Sequence, residues 1–200
     1  MEPTGDLGRL ARWWREHRPD RPRSVAWITD PIDPSLTIVE VDRAVDSGAT
    51  LLVVHAHGDE VAARAVISSA AKATPVQVRD QPPGMSDLEW MRSVAAIRDR
   101  RAQGTSDPDD PKMASVTAAM QAARRRSTPV LFDGLTAHAG ALLAGEFDPS
   151  WLPAASSTDP AVTLAHDIWG VRPAIDLHLS GDDDFGLRAV LTLLDLLTED

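Results

Sequence analysis

Four short stretches of this 200-residue chain carry side chains able to do chemistry. Gly181-Asp182-Asp183-Asp184 sets three carboxylates in a row. Clustered carboxylates raise one another's pKa, which suits a general base, so Asp182 or Asp183 could take a proton from an acidic N–H. The plainer reading is an exposed acidic turn that caps the next helix. His55-Ala56-His57-Gly58-Asp59-Glu60 follows an apolar run. Imidazole and carboxylate so spaced are zinc-ligand types, and His55, His57, Gly58 and Asp59 could equally line a polar ligand loop at a strand end. Asp133-Gly134 and Ser157-Thr158-Asp159 each precede a helical stretch, where open backbone N–H groups can hold an anion such as phosphate. Plain helix capping explains both without a ligand. His138 reads as a packed core residue, and His166 and His178 have no partner at an informative spacing.

These residues need a scaffold, and Thr128–Phe147 shows which kind. Pro129–Phe132 is a short apolar run, Asp133-Gly134 a turn signal, and Leu135, Ala139, Leu142 and Leu143 recur at helical spacing. Strand, tight turn and small-residue helix make the βα unit of an open α/β sheet, whose ligands collect at the carboxyl ends of the strands. Further strands are expected at Ser24–Ile28, Thr50–Val54, Thr74–Val78 and Ala174–Leu179, with Pro34–Val39 extended and a short piece at Leu152–Ala154. Helices are expected at Gly5–His17 with Asp6 as cap, Glu40–Ser47, Glu60–Lys72, Ser86–Gln103, Met113–Arg125, Asp159–Trp169 and Gly186–Leu197. Ser86 with Glu89 forms a capping box. The alternation predicts an α/β fold, a mainly parallel, Rossmann-like sheet with helices on both faces and a small helical element from the two termini. One domain over residues 1–200 is expected, with a mobile loop near 104–111.

Composition narrows the function. A net charge of −10 argues against non-specific binding to nucleic acid or an anionic membrane. The absence of Cys rules out disulfides and thiolate metal sites. No run has the length of a membrane span, and the opening MEPTGDLGRLARWW does not look like a signal peptide, so the cytoplasm is the expected location.

The order PVLFDG, small-residue helix, LPAASSTDP, helix, GVRPAIDLHLSG, acidic loop and Leu-rich helix, over about Thr128–Leu197, resembles the C-terminal half of the nicotinate-nucleotide:dimethylbenzimidazole phosphoribosyltransferase family. Leu7–Trp14, Asp46–Val54 (DSGATLLVV) and Gly84–Asp87 (GMSD) resemble shorter motifs of its first half. The resemblance implies an enzyme of cobalamin lower-ligand assembly. It would transfer phosphoribosyl from nicotinate mononucleotide to an azole base, with no cofactor or metal, as a homodimer. Asp182 or Asp183 stands nearest the family's catalytic glutamate. His55, His57, Gly58, Asp59, Asp133, Gly134, Ser157, Asp159 and Gly181 fall on substrate-side motifs.

The departures leave alternatives open. The family's GEMGIGNTT loop is here HAHGDEVAA, with its glycines reduced to Gly58. Its HRSAEP is ASSTDP, and its LGEGTGA is LSGDDDFG. A non-catalytic relative that binds a nucleotide or base, or pairs with a full-length enzyme, fits these changes. HAHGDE is also similar to the HxHxDH motif of metallo-β-lactamase-fold hydrolases, with Glu60 where that motif has its third His, so a metal-dependent hydrolase is the third reading.

Overall fold

The apolar run after Thr50 is buried throughout, as a strand inside a parallel sheet must be. In the computed structural model, which describes residues 4–17, 23–104, 110–179 and 184–198, it has a strand on each side. Helix α1 (Gly5–His17) leads to β1 (Val25–Thr29), α2 (Pro34–Asp46), β2 (Leu51–His55), α3 (Glu60–Ala70), α4 (Asp87–Gln103) and α5 (Pro111–Arg125). Then follow β3 (Val130–Asp133), α6 (Leu135–Leu143), β4 (Trp151–Pro153), β5 (Ala155–Ser157), α7 (Pro160–Trp169), β6 (Ile175–Leu179) and α8 (Phe185–Thr198). The main sheet has the order β1-β2-β3-β4, and every pairing is parallel. Beyond Ala154 the chain leaves that sheet, and β5 pairs parallel with β6.

The two-residue period of the strands divides the core. Leu52, Val54, Val130 and Phe132 face one way and meet Val41 of α2, Val116 and Ala119 of α5, and Ala137 of α6. Leu51, Val53 and Leu131 face the other way, against Leu10, Trp13 and Trp14 of α1 and Leu187, Val190 and Leu194 of α8. Helices therefore cover both faces, and the two terminal helices share one of them. An outer cluster around Ile67, Ile97, Met113, Leu135 and Val162 ties α3, α4 and α7 to α5 and α6. This is the α/β arrangement the alternation predicts.

Three local expectations fail. Pro34–Val39 is helical, the first half of α2, because the Asp33 carboxylate accepts the N–H groups of Ser35 and Leu36 while Pro34 fits the first helical position. Thr74–Val78 is a run of turns: among the described residues no strand lies beside it, Gln77 N–H bonds the Thr74 carbonyl, and Val78 is buried among the outer helices. Asp6 lies inside α1, where its carboxylate takes Arg9 and the backbone N–H of Asp176 in β6. The segment after Asp148, expected to be irregular except near Leu152–Ala154, holds both β4 and β5. The capping box at Ser86 and Glu89 is present. Of the expected loop at 104–111, residues 105–109 lie outside the described residues.

Candidate active site

Parallel strands bring their carboxyl ends to one edge of the sheet, and the chemistry-bearing residues collect there. Thr29, His55 and Asp133 end β1, β2 and β3 in register. Beside them opens a cleft of about 370 Å³, lined by Gly58, Glu60, Arg64, Asp133, Gly134, Leu135, Thr136, Ser157, Asp159 and Val162. Five of these ten, Gly58, Asp133, Gly134, Ser157 and Asp159, are expected site residues.

Three helices begin at this cleft. Asp59 caps α3 through the N–H groups of Val61 and Ala62, and Asp159 caps α7 through that of Ala161. Helix α6 starts from Gly134, at φ 88°, and no side chain caps it. The Asp133 carboxylate stands beside this helix start. The Gly58 N–H donates to Thr136 Oγ1 (2.9 Å) and the Asp59 N–H to Asp110 Oδ2 (2.7 Å). A side chain at position 58 would collide with both partners. Arg64, buried in α3, pairs with Asp159 (2.6 Å) and Glu60 (2.8 Å) and also donates to the Val78 carbonyl. Burial works against its charge, but the hydrogen bonds and charges of Asp159 and Glu60 outweigh it and raise its pKa. Ser157 Oγ donates to the Leu179 carbonyl (3.2 Å) and accepts the Asp159 N–H (3.0 Å).

A second group stands at the same strand ends. His55 is buried, with its Nε2 3.3 Å from His57 Nε2. His57 donates its backbone N–H to Asp30 Oδ1 (2.7 Å), and its ring Nδ1 lies 3.5 Å from Asp30 Oδ2. Lys112 Nζ reaches Asp30 Oδ1 at 3.1 Å. Burial alone would raise Asp30, yet the His57 N–H and the Lys112 ammonium hold it below the usual carboxylate range. Asp133 Oδ1 accepts the Gly134 N–H (2.9 Å), and Gly186 of α8 packs so closely on this carboxylate that a Cβ there would strike it. Asp184, just ahead of α8, is held below its usual pKa by Arg188 first and by His55 among the lesser charges. Gly181, Asp182 and Asp183 lie outside the described residues.

A family model described as Phosphoribosyltransferase matches residues 35–197 of this chain. The nicotinate-nucleotide–dimethylbenzimidazole phosphoribosyltransferase of Corynebacterium efficiens is 35% identical over 172 residues, covering 76% of this chain and 46% of that protein. This chain belongs to that family. The Mycobacterium tuberculosis enzyme of the same name is 30% identical over 169 residues, with 76% and 47% covered. The CobT of Thermus thermophilus shares the fold, with a TM-score of 0.69 at 23% identity over 82% of this chain and 53% of that one. The chain thus spans about half the length of the curated phosphoribosyltransferases it matches.

Within this phosphoribosyltransferase scaffold the zinc-motif spacing serves other ends. The Asp59 carboxylate is committed to the α3 cap, and among the described residues no three His, Asp or Glu side chains converge as a metal requires. Also among the described residues, no helix is long and apolar enough to cross a membrane.

Sequence reasoning missed Arg64, Thr136, Asp110, Asp30 and Lys112. Arg64 left a local signal in its four-residue spacing from Glu60, and Asp110 in its place before Pro111 as the cap of α5; the other carboxylate on Arg64, that of Asp159, is 95 residues away. It also missed that His138 and His166 meet, 28 residues apart, in the packing between α6 and α7.

Proposed function

We propose that this chain carries out phosphoribosyl transfer in cobalamin lower-ligand assembly, bringing nicotinate mononucleotide together with an azole base such as dimethylbenzimidazole. The observation that carries this reading is the cleft at the strand ends, in a chain of this family, onto which α6 opens with no side-chain cap. A helix N-terminus suits the phosphate of a nucleotide, and Gly58 and Ser157 stand on the wall of the same cleft. Asp133 stands at the end of β3, within reach of a ribose or a base in the same cleft. In the reaction, a ring nitrogen of the azole attacks C1 of the ribose, the bond from C1 to the pyridinium nitrogen breaks, and nicotinate leaves with the electron pair. Asp182 or Asp183 takes the proton that the azole gives up. A homodimer in the cytoplasm belongs to the same reading. The enzyme names of the relatives favour it over a non-catalytic binder and over the metal hydrolase.

Calorimetric titration with nicotinate mononucleotide, followed by dimethylbenzimidazole and an assay for free nicotinate, tests it. Binding followed by release is expected. Binding without release would favour the non-catalytic relative, and no binding would leave ancestry and fold as all that the family membership conveys.

A further inference from the structure

At the wall of the cleft two firmly held guanidinium groups meet on one carboxylate that faces water. We propose that Glu60 holds the seat between Arg64 and Arg79 until a ligand's carboxylate displaces it, and that this seat makes the cleft select a nicotinate nucleotide over a nicotinamide one. The inference deepens the phosphoribosyl-transfer reading above and rests on it.

Guanidinium N–H groups converge there on one oxygen. Arg64 Nε (3.1 Å), Arg64 Nη2 (2.8 Å) and Arg79 Nη1 all donate to Glu60 Oε1. Donors and acceptor differ in how firmly they are held. The Arg64 side chain is 4% exposed and is anchored from behind. Its Nη1 donates to the Val78 carbonyl and to Asp159 Oδ1 (3.0 Å), and its Nη2 also donates to Asp159 Oδ2 (2.6 Å). Arg79 lies between α3 and α4, with a side chain 13% exposed. Its Nε donates to Ser93 Oγ (3.2 Å), and its carbonyl accepts the Trp90 indole N–H (3.1 Å). The Glu60 side chain is 53% exposed, so its carboxylate can turn outward into water. What it uncovers is the Nε–Nη2 edge of Arg64, a planar fork that pairs with both oxygens of a carboxylate.

Charge and position fit a carboxylate in that seat. Arg64 and Arg79 set two cations against the two anions of Glu60 and Asp159. A ligand carboxylate that takes the place of Glu60 keeps that balance. A phosphate, with a charge of about −1.5 to −2 at pH 7, would exceed it. A carboxamide would leave the two cations with Asp159 alone, and a buried charge short of its partner is costly. Glu60, Arg64, Asp159 and Gly134 line one cleft. The phosphate placed at the start of α6 and the ring carboxylate placed at Arg64 therefore belong to one nucleotide in one cleft.

Calorimetric titration of the full chain with nicotinate mononucleotide and, separately, with nicotinamide mononucleotide tests the seat. The wild type should bind the acid more tightly than the amide. Glu60→Gln keeps the shape of the side chain and removes the competing charge, so it should tighten the acid about tenfold and change the amide little. Arg79→Gln should weaken the acid about tenfold and bring the two ligands toward equal affinity. Glu60 is more than half exposed, so its variant stands even if Arg79→Gln fails to fold. A wild type indifferent between acid and amide, or an acid affinity that Glu60→Gln leaves unchanged or weakens, overturns the proposal; nicotinate release by the wild type would show the transfer reading still standing. Equal tightening of both ligands in Glu60→Gln would put the phosphate in this seat and overturn the carboxylate assignment. No binding of either ligand by the wild type overturns the transfer reading, and the proposal with it.

Discussion

The buried imidazoles of His138 and His166 meet Nε2 to Nε2 at 2.9 Å. His138 Nδ1 donates to the Gly134 carbonyl (2.7 Å), so its Nε2 must accept and His166 must donate. Burial first, and then the neighbouring His166, pushes the His138 pKa down to about 3, and burial brings His166 to about 4. Both rings are therefore neutral when folded. An unfolded chain would protonate them near 6.5, so the pair's contribution is complete above that pH and is lost as pH falls toward the folded values. Urea unfolding should show stability declining below about pH 6.5, by up to about 1.4 kcal/mol per pH unit for each ring. The double variant His138→Leu/His166→Leu should flatten that slope. An unchanged slope would mean that other groups set the acid sensitivity.

Arg64 ties α3 to α7 through Asp159. Arg64→Met leaves Asp159 and Glu60 without their shared cation and the Val78 carbonyl without a donor. The expected loss is about 2–3 kcal/mol, below the figure for a fully buried pair because both carboxylates retain contact with water. Arg64→Lys should recover little, since one ammonium cannot span the partners a guanidinium does. Chemical denaturation of the three proteins checks this; a change under about 0.5 kcal/mol would place Arg64 among ordinary surface substitutions.

Gly58→Ala would drive its Cβ into the Asp110 carboxylate and the Thr136 side chain. The Asp59 N–H bond to Asp110 has to shift with it. A cost of about 1–3 kcal/mol is expected, together with weaker binding of nicotinate mononucleotide by calorimetry. Gly186→Ala should weaken binding as well, by pressing on Asp133 and Ala155. Wild-type affinity in both variants would move the nucleotide away from this edge of the sheet.

Asp182→Ala or Asp183→Ala should lower turnover by about 10²-fold or more and leave nucleotide binding nearly intact. Full activity in both variants, and in the double variant, would remove the acidic loop from the chemistry.

Asp59→Ala should cost about 1 kcal/mol as a lost helix cap, and Asp59→Asn much less, since Asn also caps. Dialysis against a chelator should leave the melting temperature of the wild type unchanged. A chelator-sensitive melt that Asp59→Asn abolishes would instead make the HAHGDE stretch a metal site.

The fold class was legible because binary pattern and turn chemistry act locally. The continuous apolar run before His55 specified an inner strand, the Asp133-Gly134 turn specified a strand end followed by a helix, and Ser86 with Glu89 specified where a helix starts. The same local logic was misapplied at Pro34–Val39. Extension was expected there, but the Asp33-Pro34 cap and the seat offered to Val41 by the sheet decide for helix. Thr74–Val78 has strand-like composition and, among the described residues, no strand to pair with, which a single segment cannot reveal.

The strand ends were legible as a place, and Gly58, Asp133, Gly134, Ser157 and Asp159 do meet at one cleft. What joins them was not. Asp30 and Lys112 are 82 residues apart, Arg64 and Asp159 are 95 apart, and Gly186 reaches Asp133 from the last helix. Sequence alone determined the periodicities and the caps, because neighbours along the chain set those. The tertiary structure decided which charges pair, which imidazoles share a proton and which backbone may approach a ligand, because each depends on burial and on contacts between segments that only the closed sheet brings together.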